Sequence, residues 1–480
     1  MTIESSRVSP PTAVRRRLRM HHLFALLIGT IIGVGWITAS GIWIIQAGPI
    51  GAIIAFAGGA VLMTLIGLCY AEVMAMLPSA SGAVGYSYAA FGSRAAFWSG
   101  WLLLASYVAT CAFFAITLTW LLDILNPAIR GPGLYTVLGD ELYLGDVVAI
   151  AFVGSILGFT NQLGADIAGG LQTIVVSIKG VLALVLATAA FSAGSAINLS
   201  PLITGNTATD SAVAIIGVMV TTPFWFAGFD VLPQALRECA PELNLSRLGR
   251  LIIVTTAVAL GFYIMIILSA SSLVPRAVLL TFQLPTFDAF ETAFGGVIFP
   301  RVVLALGLVG VLSAWNAMLF AGSRILNAMS AAGLAPAMFA PLSQRRRTPA
   351  RAVWMISVLG CGLGLLGRHA VNPLVSAASI TLVAAFVLLC LALLRLRKTR
   401  PNAHRPYRVP TPLLAWVATG LALGLLILSA LGPLLDRHGS LPSEWVVVGV
   451  WIALGEIYWR RIRKAAQSNH ESIQCALGSS

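Results

Sequence analysis

Charged side chains are scarce in this chain. Of its 480 residues only 10% are Asp, Glu, Lys or Arg, whereas 58% are hydrophobic and the mean hydropathy is +0.91. A soluble chain averages about 25% charged residues, and one of this length would need charged surface for about three domains. Seventeen acids and thirty bases cannot cover that surface. The composition therefore argues against a soluble enzyme, a nucleic-acid-binding protein or a disordered scaffold, and it predicts a polytopic membrane protein.

Residue groups that hold metals or perform catalysis are also missing. The six cysteines form no CxxC pair, and the six histidines lie outside the apolar segments or at their ends. The chain has no HExxH motif, no P-loop and no pair of aspartates at membrane depth. We therefore expect no metal, no cofactor and no catalytic residues, and a polytopic membrane enzyme remains only as the alternative from another class. A passive channel is disfavoured because the sequence has no filter-like repeat or charge ring.

Twelve segments are long and apolar enough to cross a bilayer, which takes about 20 residues each. A lipid-exposed backbone must satisfy its own hydrogen bonds, so we expect every span to be helical and the fold class to be all-α. In chain order, spans 1 to 12 cover residues 23–46, 50–77, 97–125, 142–160, 168–193, 212–236, 251–274, 302–330, 352–367, 373–396, 412–433 and 444–460.

Basic residues are distributed unequally between the two sides of this arrangement. With the N-terminus inside, 23 of the 30 Lys and Arg residues flank the inner ends of the spans and five flank the outer ends. Loops that stay in the cytoplasm carry an excess of Lys and Arg. The count therefore predicts a multi-pass protein of the plasma or inner membrane with both termini in the cytoplasm.

Glycine and proline interrupt two of the spans. Span 1 contains Gly29-Thr-Ile-Ile-Gly33-Val-Gly35-Trp, and its glycines indicate either close helix packing or a broken helix that offers backbone groups to a ligand. In span 6, Pro223 and Pro233 bracket a glycine and an aspartate, so that span is not expected to be straight. Paired interrupted helices are the best sequence indication of a transporter's binding site.

Four motifs in these spans resemble the amino acid/polyamine/organocation transporters, over about residues 20–400. They are the glycine-rich stretch of span 1, Phe-Ala-Gly-Phe-Asp in span 6, and two longer runs. The longer runs are residues 70–86, with Tyr-Ala-Glu and Leu-Pro-x-Ser-x-Gly, and residues 316–349, with Ser-Arg-Ile-Leu-Asn-Ala-Met.

The resemblance implies a five-plus-five inverted repeat with broken helices 1 and 6, followed by two extra helices. The domains expected from it are a basic cytoplasmic tail (1–20), a ten-helix transport core (21–400), a cytoplasmic linker (401–411), two additional transmembrane helices (412–463) and a second cytoplasmic tail (464–480).

The resemblance also implies where an amino acid binds. Its carboxylate would meet the amides of Gly33, Val34 and Gly35, at a half-helix N-terminus whose partial positive charge favours an anion. The ammonium would meet backbone carbonyls of both broken helices. The carbonyls expected to accept from it belong to Ile31, Phe224 and Ala227.

Four side chains or backbone positions would complete the pocket. Gly228 belongs to the break in span 6. Phe224 would form an aromatic outer gate or, alternatively, a lipid-facing ring. Trp315 and Met318 on span 8 would form the floor or, alternatively, ordinary core.

Two charged residues lie deep in the spans. Lys179 sits about 11 residues from either end of span 5, roughly 16 Å at 1.5 Å per residue. Relatives with a lysine here resemble proton-coupled members, in which the amine replaces a sodium ion near span 1; a structural strut is the alternative. Asp230 would carry a proton, partner the substrate or Lys179, or cap the helix that restarts after the break.

The resulting hypothesis is a secondary active transporter of amino acids or related amines that works by alternating access, coupled to protons and independent of sodium. An amino acid/amine or polyamine exchanger is the alternative. The expected partners are the small-molecule substrate, protons and the lipid bilayer. A disulfide-linked heavy subunit is not expected, because residues 126–141 lack the cysteine that such relatives carry between spans 3 and 4.

Overall fold

The computed structural model describes residues 19–163, 165–236, 239, 243–282, 284–295, 298–343, 346–435 and 442–468. Most of each predicted tail, residues 1–18 and 469–480, lies outside the described residues. The helices in chain order are α1 (Met20–Ile31), α2 (Gly35–Thr38), α3 (Ser40–Ala47), α4 (Pro49–Met76), α5 (Gly82–Phe91), α6 (Ser93–Leu125), α7 (Leu144–Gln162), α8 (Ala165–Ala193), α9 (Ala208–Trp225), α10 (Leu232–Leu236), α11 (Leu248–Leu273), α12 (Arg276–Leu279), α13 (Pro285–Phe294), α14 (Ile298–Ala331), α15 (Ala350–Gly364), α16 (Val371–Thr399), α17 (Pro412–Leu435) and α18 (Ser443–Ser468).

Each predicted span coincides with one or more of these helices, which confirms the all-α polytopic fold. In the described part of the chain, ten helices are long and apolar enough to cross a membrane. The helix α15 is apolar but has only 15 residues. The helix α18 is long but ends in a run of basic residues. Twelve membrane crossings and the inverted repeat therefore stay predictions.

The link between α6 and α7 contains the strands of the described part of the chain, which the sequence did not indicate. Strand β1 (Gly133–Val137) pairs antiparallel with β2 (Asp140–Tyr143). Leu138 and Gly139 connect them with φ angles of 51° and 88°. Positive φ at both turn residues matches the twist of a two-residue hairpin. Residues 142 and 143, expected in span 4, belong to this hairpin.

The long helix α6 runs through the middle of the bundle and packs against α14, α15 and α16. By contrast, α7 and α8 expose large apolar side chains such as Phe152, Phe159 and Leu184. A contiguous apolar surface of that kind is what a helix presents to lipid.

The helix α13 covers the second half of the first broken span. Its rings at Phe287 and Phe290 are buried. The hydroxyl of Thr286 contacts Ser40 and lies 3.1 Å from the carbonyl oxygen of Trp36, to which it donates. The structure packs α13 against α2, α3 and α14.

The predicted linker is attached to the core at a cluster that we call the Glu72 junction: Glu72, Arg397, Arg405 and Val409. The carboxylate of Glu72, which has no exposed surface, accepts from Nε and Nη2 of Arg397 at 2.9 Å and 2.5 Å. It also accepts from the amide of Val409 at 2.8 Å and lies 3.5 Å from Nε of Arg405. Residues from α4, α16 and the linker thus share one buried carboxylate.

Candidate functional site

The first broken helix loses its helical path between Ile31 and Gly35. The helix α1 ends at Ile31 and the short helix α2 begins at Gly35. Among the described residues, the backbone amides of Gly33, Val34 and Gly35 make no hydrogen bond. The predicted break is therefore present, and it leaves free amides where the sequence interpretation placed the substrate carboxylate.

The glycines at this break also permit close packing. The structure therefore shows both features that the sequence allowed for span 1, a broken helix and close helix packing. A Cβ atom on Gly35 would collide with the ring of Trp225. A Cβ atom on Gly310 of α14 would collide with the carbonyl oxygen of Gly33. Substitution at Gly35 must therefore displace the ring of Trp225, and substitution at Gly310 must displace the backbone of the break.

The second broken helix changes path after Trp225. The helix α9 ends there, a 3-10 turn spans Phe229–Val231, and α10 begins at Leu232. A Cβ atom on Gly228 would lie 2.8 Å from Cγ1 of Ile31, so the two breaks touch each other at this glycine. Ala227 is half-buried between them, and its amide donates to the carbonyl of Phe224 at 3.4 Å.

Asp230 is fully engaged at this turn. Its Oδ1 accepts from the amide of Gly228 at 2.8 Å, and its Oδ2 accepts from the hydroxyl of Tyr107 at 2.6 Å. The side chain is 1% exposed. In the described residues no contact joins Asp230 to Lys179. Asp230 therefore links the second break to Tyr107 of α6 through hydrogen bonds.

Tyr263 on α11 connects the two breaks directly. Its hydroxyl lies 3.0 Å from the carbonyl oxygen of Ile31 and 3.0 Å from that of Trp225. The sequence interpretation did not single out this residue. A buried phenol in an otherwise apolar span needs a hydrogen-bond partner, and that requirement was the available signal.

Lys179 on α8 reaches the first break. Its Nζ donates to the carbonyl of Ile32 at 2.6 Å and lies 3.4 Å from that of Gly29, and the residue is 3% exposed. The hydroxyl of Ser313 on α14 is also 3.4 Å from the carbonyl oxygen of Gly29. The amine, the unwound carbonyls and α14 therefore meet at one point.

A group of aromatic rings adjoins the first break through Trp225, whose ring lies against Gly35. The rings of Phe224 and Phe113 meet edge to face with centroids 5.5 Å apart, and Phe224 meets Trp225 at 4.9 Å. Trp225 in turn packs on Trp43 at 5.2 Å. Phe224 is buried in this group and does not face lipid. Trp225, which the sequence interpretation passed over, is the ring that covers Gly35.

The two residues expected on span 8 point in different directions. A Cβ atom on Gly33 would lie 3.4 Å from Cβ of Ala314, and Met318 follows Ala314 by one turn as a buried residue. Trp315 instead lies beside Gly154 of α7, whose Cβ would be 3.8 Å from its ring. The structure thus brings the face that carries Met318 toward the break and directs Trp315 toward α7.

Comparisons with known proteins agree with this arrangement. A profile of the amino acid permease family matches residues 18–454. A methylthioribose transporter of Bacillus subtilis is 27% identical over 466 residues, which cover 92% of this chain and 93% of that protein. The branched-chain amino acid permease BcaP of the same species is 25% identical over 95% of each chain. The lysine-specific permease LysP of Escherichia coli is 25% identical over 74% of this chain and 72% of its own.

Proposed function

Because the chain belongs to the amino acid permease family, within the amino acid/polyamine/organocation transporters that its motifs resemble, we propose that it moves neutral amino acids across the plasma membrane by alternating access. We propose further that the transport is coupled to protons through Lys179 and needs no sodium. The observation that carries this proposal is the contact of the Lys179 amine with the carbonyls of Ile32 and Gly29.

The free amides favour a zwitterionic substrate. The amides of Gly33, Val34 and Gly35 are donors without protein partners among the described residues, and such amides bind a carboxylate. Both oxygens of Asp230 accept hydrogen bonds, from Tyr107 and from the amide of Gly228, which supports a positioning role for this acid at the second break. The ammonium would be bound by backbone carbonyls of Ile31, Phe224 and Ala227.

The neighbouring rings favour an apolar substrate side chain. The ring of Trp225 adjoins the break at Gly35, Phe224 and Phe113 pack with that ring, and Met318 lies on the adjacent face of α14. Burial of an apolar side chain against such rings contributes about 25 cal/mol per Å². The relatives' names cover branched-chain amino acids, lysine and methylthioribose. Of these, a branched-chain amino acid combines the α-amino acid group with an apolar side chain.

Lys179 can couple this movement to protons. A protonated amine attracts the unwound carbonyls of α1 and repels a sodium ion at the same position. The neutral amine interacts more weakly with those carbonyls. Protonation thereby changes the relative free energy of the states in which α1 is held against α8 or released from it. Asp230 accepts hydrogen bonds from Tyr107 and Gly228, and its proposed role is to stabilise the backbone conformation of the second break.

A competition panel tests the substrate class. Purified protein in liposomes would be loaded with unlabelled L-leucine, and counterflow of labelled L-leucine measured with each of the twenty amino acids and with putrescine and agmatine as competitors. We expect inhibition by leucine, isoleucine and valine and little by putrescine, agmatine, lysine or glutamate. Inhibition by putrescine or agmatine as strong as that by leucine would instead support the polyamine exchanger.

A further inference from the structure

A polar cavity lies between the β1–β2 hairpin, the ends of α6 and α7, and the turn before α16, and none of its lining residues belongs to the broken helices. We call it the hairpin cavity; it has a volume of about 230 Å³. Its charged lining residues are Arg130, Arg368, Asp140, Glu141 and Asp146. We propose that the hairpin cavity binds a zwitterionic amino acid with an apolar side chain, separately from the site at the broken helices.

One side of the hairpin cavity carries an excess of positive charge. Arg130 Nε and Arg368 Nη2 each lie 2.8 Å from a carboxylate oxygen of Asp123, so two guanidinium groups share one acid. Each guanidinium also lies over an aromatic ring, Tyr143 at 4.6 Å and Trp120 at 5.3 Å from the ring centroid. These contacts fix the orientation of the two groups. A guanidinium has five N–H donors, so donors remain for the carboxylate of a ligand.

The hairpin supplies negative charge to the same cavity. Asp140 is occupied, because its oxygens contact Nδ1 and the amide of His369 at 2.8 Å and 2.6 Å. Glu141 is exposed and accepts from the hydroxyl of Tyr143 at 2.8 Å. Asp146 accepts from the amide of Tyr143 at 3.1 Å. Glu141 and Asp146 thus retain lone pairs that can accept from an ammonium group.

The floor of the hairpin cavity is apolar. Ile116, Leu142 and Ile150 line it, and all three are buried. A ligand that carries both charges at one end and an apolar side chain at the other fits a cavity with a charged rim and an apolar floor. Its side chain would lie on the floor and its charged groups at the rim. An inorganic cation or anion would use only one part of the lining.

This inference is independent of the proposed transport function, because binding in the hairpin cavity requires no transport. The probe is tritiated L-leucine, measured by equilibrium dialysis against the purified full chain. Gly35→Leu is used to block the site at the broken helices. We expect the Gly35→Leu protein to retain saturable binding of about one leucine, and the wild type to bind a second. We also expect 4-methylpentanoate and 3-methylbutylamine, which each lack one of the two charges, to compete poorly.

Two variants in the Gly35→Leu background locate the binding. Arg368→Gln removes one guanidinium and should weaken binding about tenfold, the effect of losing a charge-assisted hydrogen bond. Glu141→Gln leaves every ion pair of the region intact, so it tests the same cavity without loss of an ion pair. Arg460→Gln, which breaks the exposed pair with Glu456, is the matched control and should leave binding unchanged.

Three results would overturn the inference. The first is the absence of saturable leucine binding in the Gly35→Leu protein while the wild type binds. The second is binding that neither Arg368→Gln nor Glu141→Gln weakens. The third is binding of 3-methylbutylamine as tight as that of leucine, which would identify a cation site only. A wild type that binds leucine in the hairpin cavity but transports none would contradict the proposed function and leave this inference supported.

Discussion

Two buried charges in this molecule have very different partners. At the Glu72 junction the carboxylate faces Arg397, Arg405 and the amide of Val409. At the broken helices the amine of Lys179 faces only carbonyls among the described residues. Removal of one member of a buried ion pair costs several kcal/mol, whereas a cation held by carbonyls can lose its proton and leave. We therefore expect a permanent attachment at the Glu72 junction and propose a reversible one at Lys179.

The surroundings of the Glu72 junction also favour a permanent attachment of the linker. Tyr407 of the linker packs so closely against α11 that a Cβ atom on Gly249 would collide with its phenol. Burial, together with the nearby charge of Glu72, raises the pKa of Tyr407 to about 12. A phenol whose pKa is raised stays neutral throughout the range in which a proton gradient operates. The linker side of the junction is therefore expected to be insensitive to such a gradient.

The largest effect on transport is expected from a substitution at the first broken helix. Gly35→Leu should abolish transport, because its side chain has to displace Trp225 and covers the free amides. Uptake of labelled amino acid into liposomes gives the measurement. Gly180→Leu is the matched control, since a Cβ atom there meets nothing within 4 Å, and its transport should match the wild type. Normal transport by Gly35→Leu would mean that the glycine serves helix packing only.

Removal of the charge of Glu72 at the Glu72 junction should reduce the stability of the folded protein. Glu72→Gln leaves two half-buried arginines without their buried carboxylate, and the free energy of unfolding should fall by about 3–5 kcal/mol. Thermal unfolding in detergent, read at two pH values, checks this. Glu456→Gln removes an exposed carboxylate from its pairs with Arg94 and Arg460, and should change stability by less than about 1 kcal/mol. Equal melting temperatures for both variants would contradict the comparison.

A smaller effect on stability and transport rate is expected from removal of the Tyr263 hydroxyl, which joins the two breaks. Tyr263→Phe leaves the carbonyls of Ile31 and Trp225 without their donor, which should cost about 1–3 kcal/mol of stability. It should also alter the rate of transport, because the two breaks are no longer joined. Tyr135→Phe, which removes an exposed bond to the carbonyl of Leu365, is the control. A Tyr263→Phe protein with unchanged stability and rate would argue against a bridging role.

The smallest effect is expected at Asp230. Asparagine retains an oxygen that can accept from the Gly228 amide and a nitrogen near Tyr107, so Asp230→Asn should preserve most transport and the pH dependence of accumulation. Measurement of uptake across a series of external pH values checks this. A loss of pH-driven accumulation in Asp230→Asn would instead identify Asp230 as a proton carrier.

The sequence predicted the parts of this architecture that follow from local physics. Apolar length located the helices, and glycine with proline located both breaks, because these residues alter the backbone directly. The position of Lys179 against α1 followed from the family resemblance. The partners of Asp230, the bridge by Tyr263 and the cover by Trp225 depend on contacts between helices distant in the chain, which periodicity does not encode. The β1–β2 hairpin was missed because its strands are only five and four residues long.

We propose that Lys179 couples uptake to protons at a site that sodium does not occupy. Uptake of labelled L-leucine into liposomes should be measured for the wild type and Lys179→Ala under an inward proton gradient, an inward sodium gradient and neither. We expect the wild type to accumulate leucine only with the proton gradient, and Lys179→Ala to lose this accumulation while exchange of leucine continues. Wild-type accumulation that requires sodium and ignores the proton gradient would contradict it, and Lys179 would then be a structural strut.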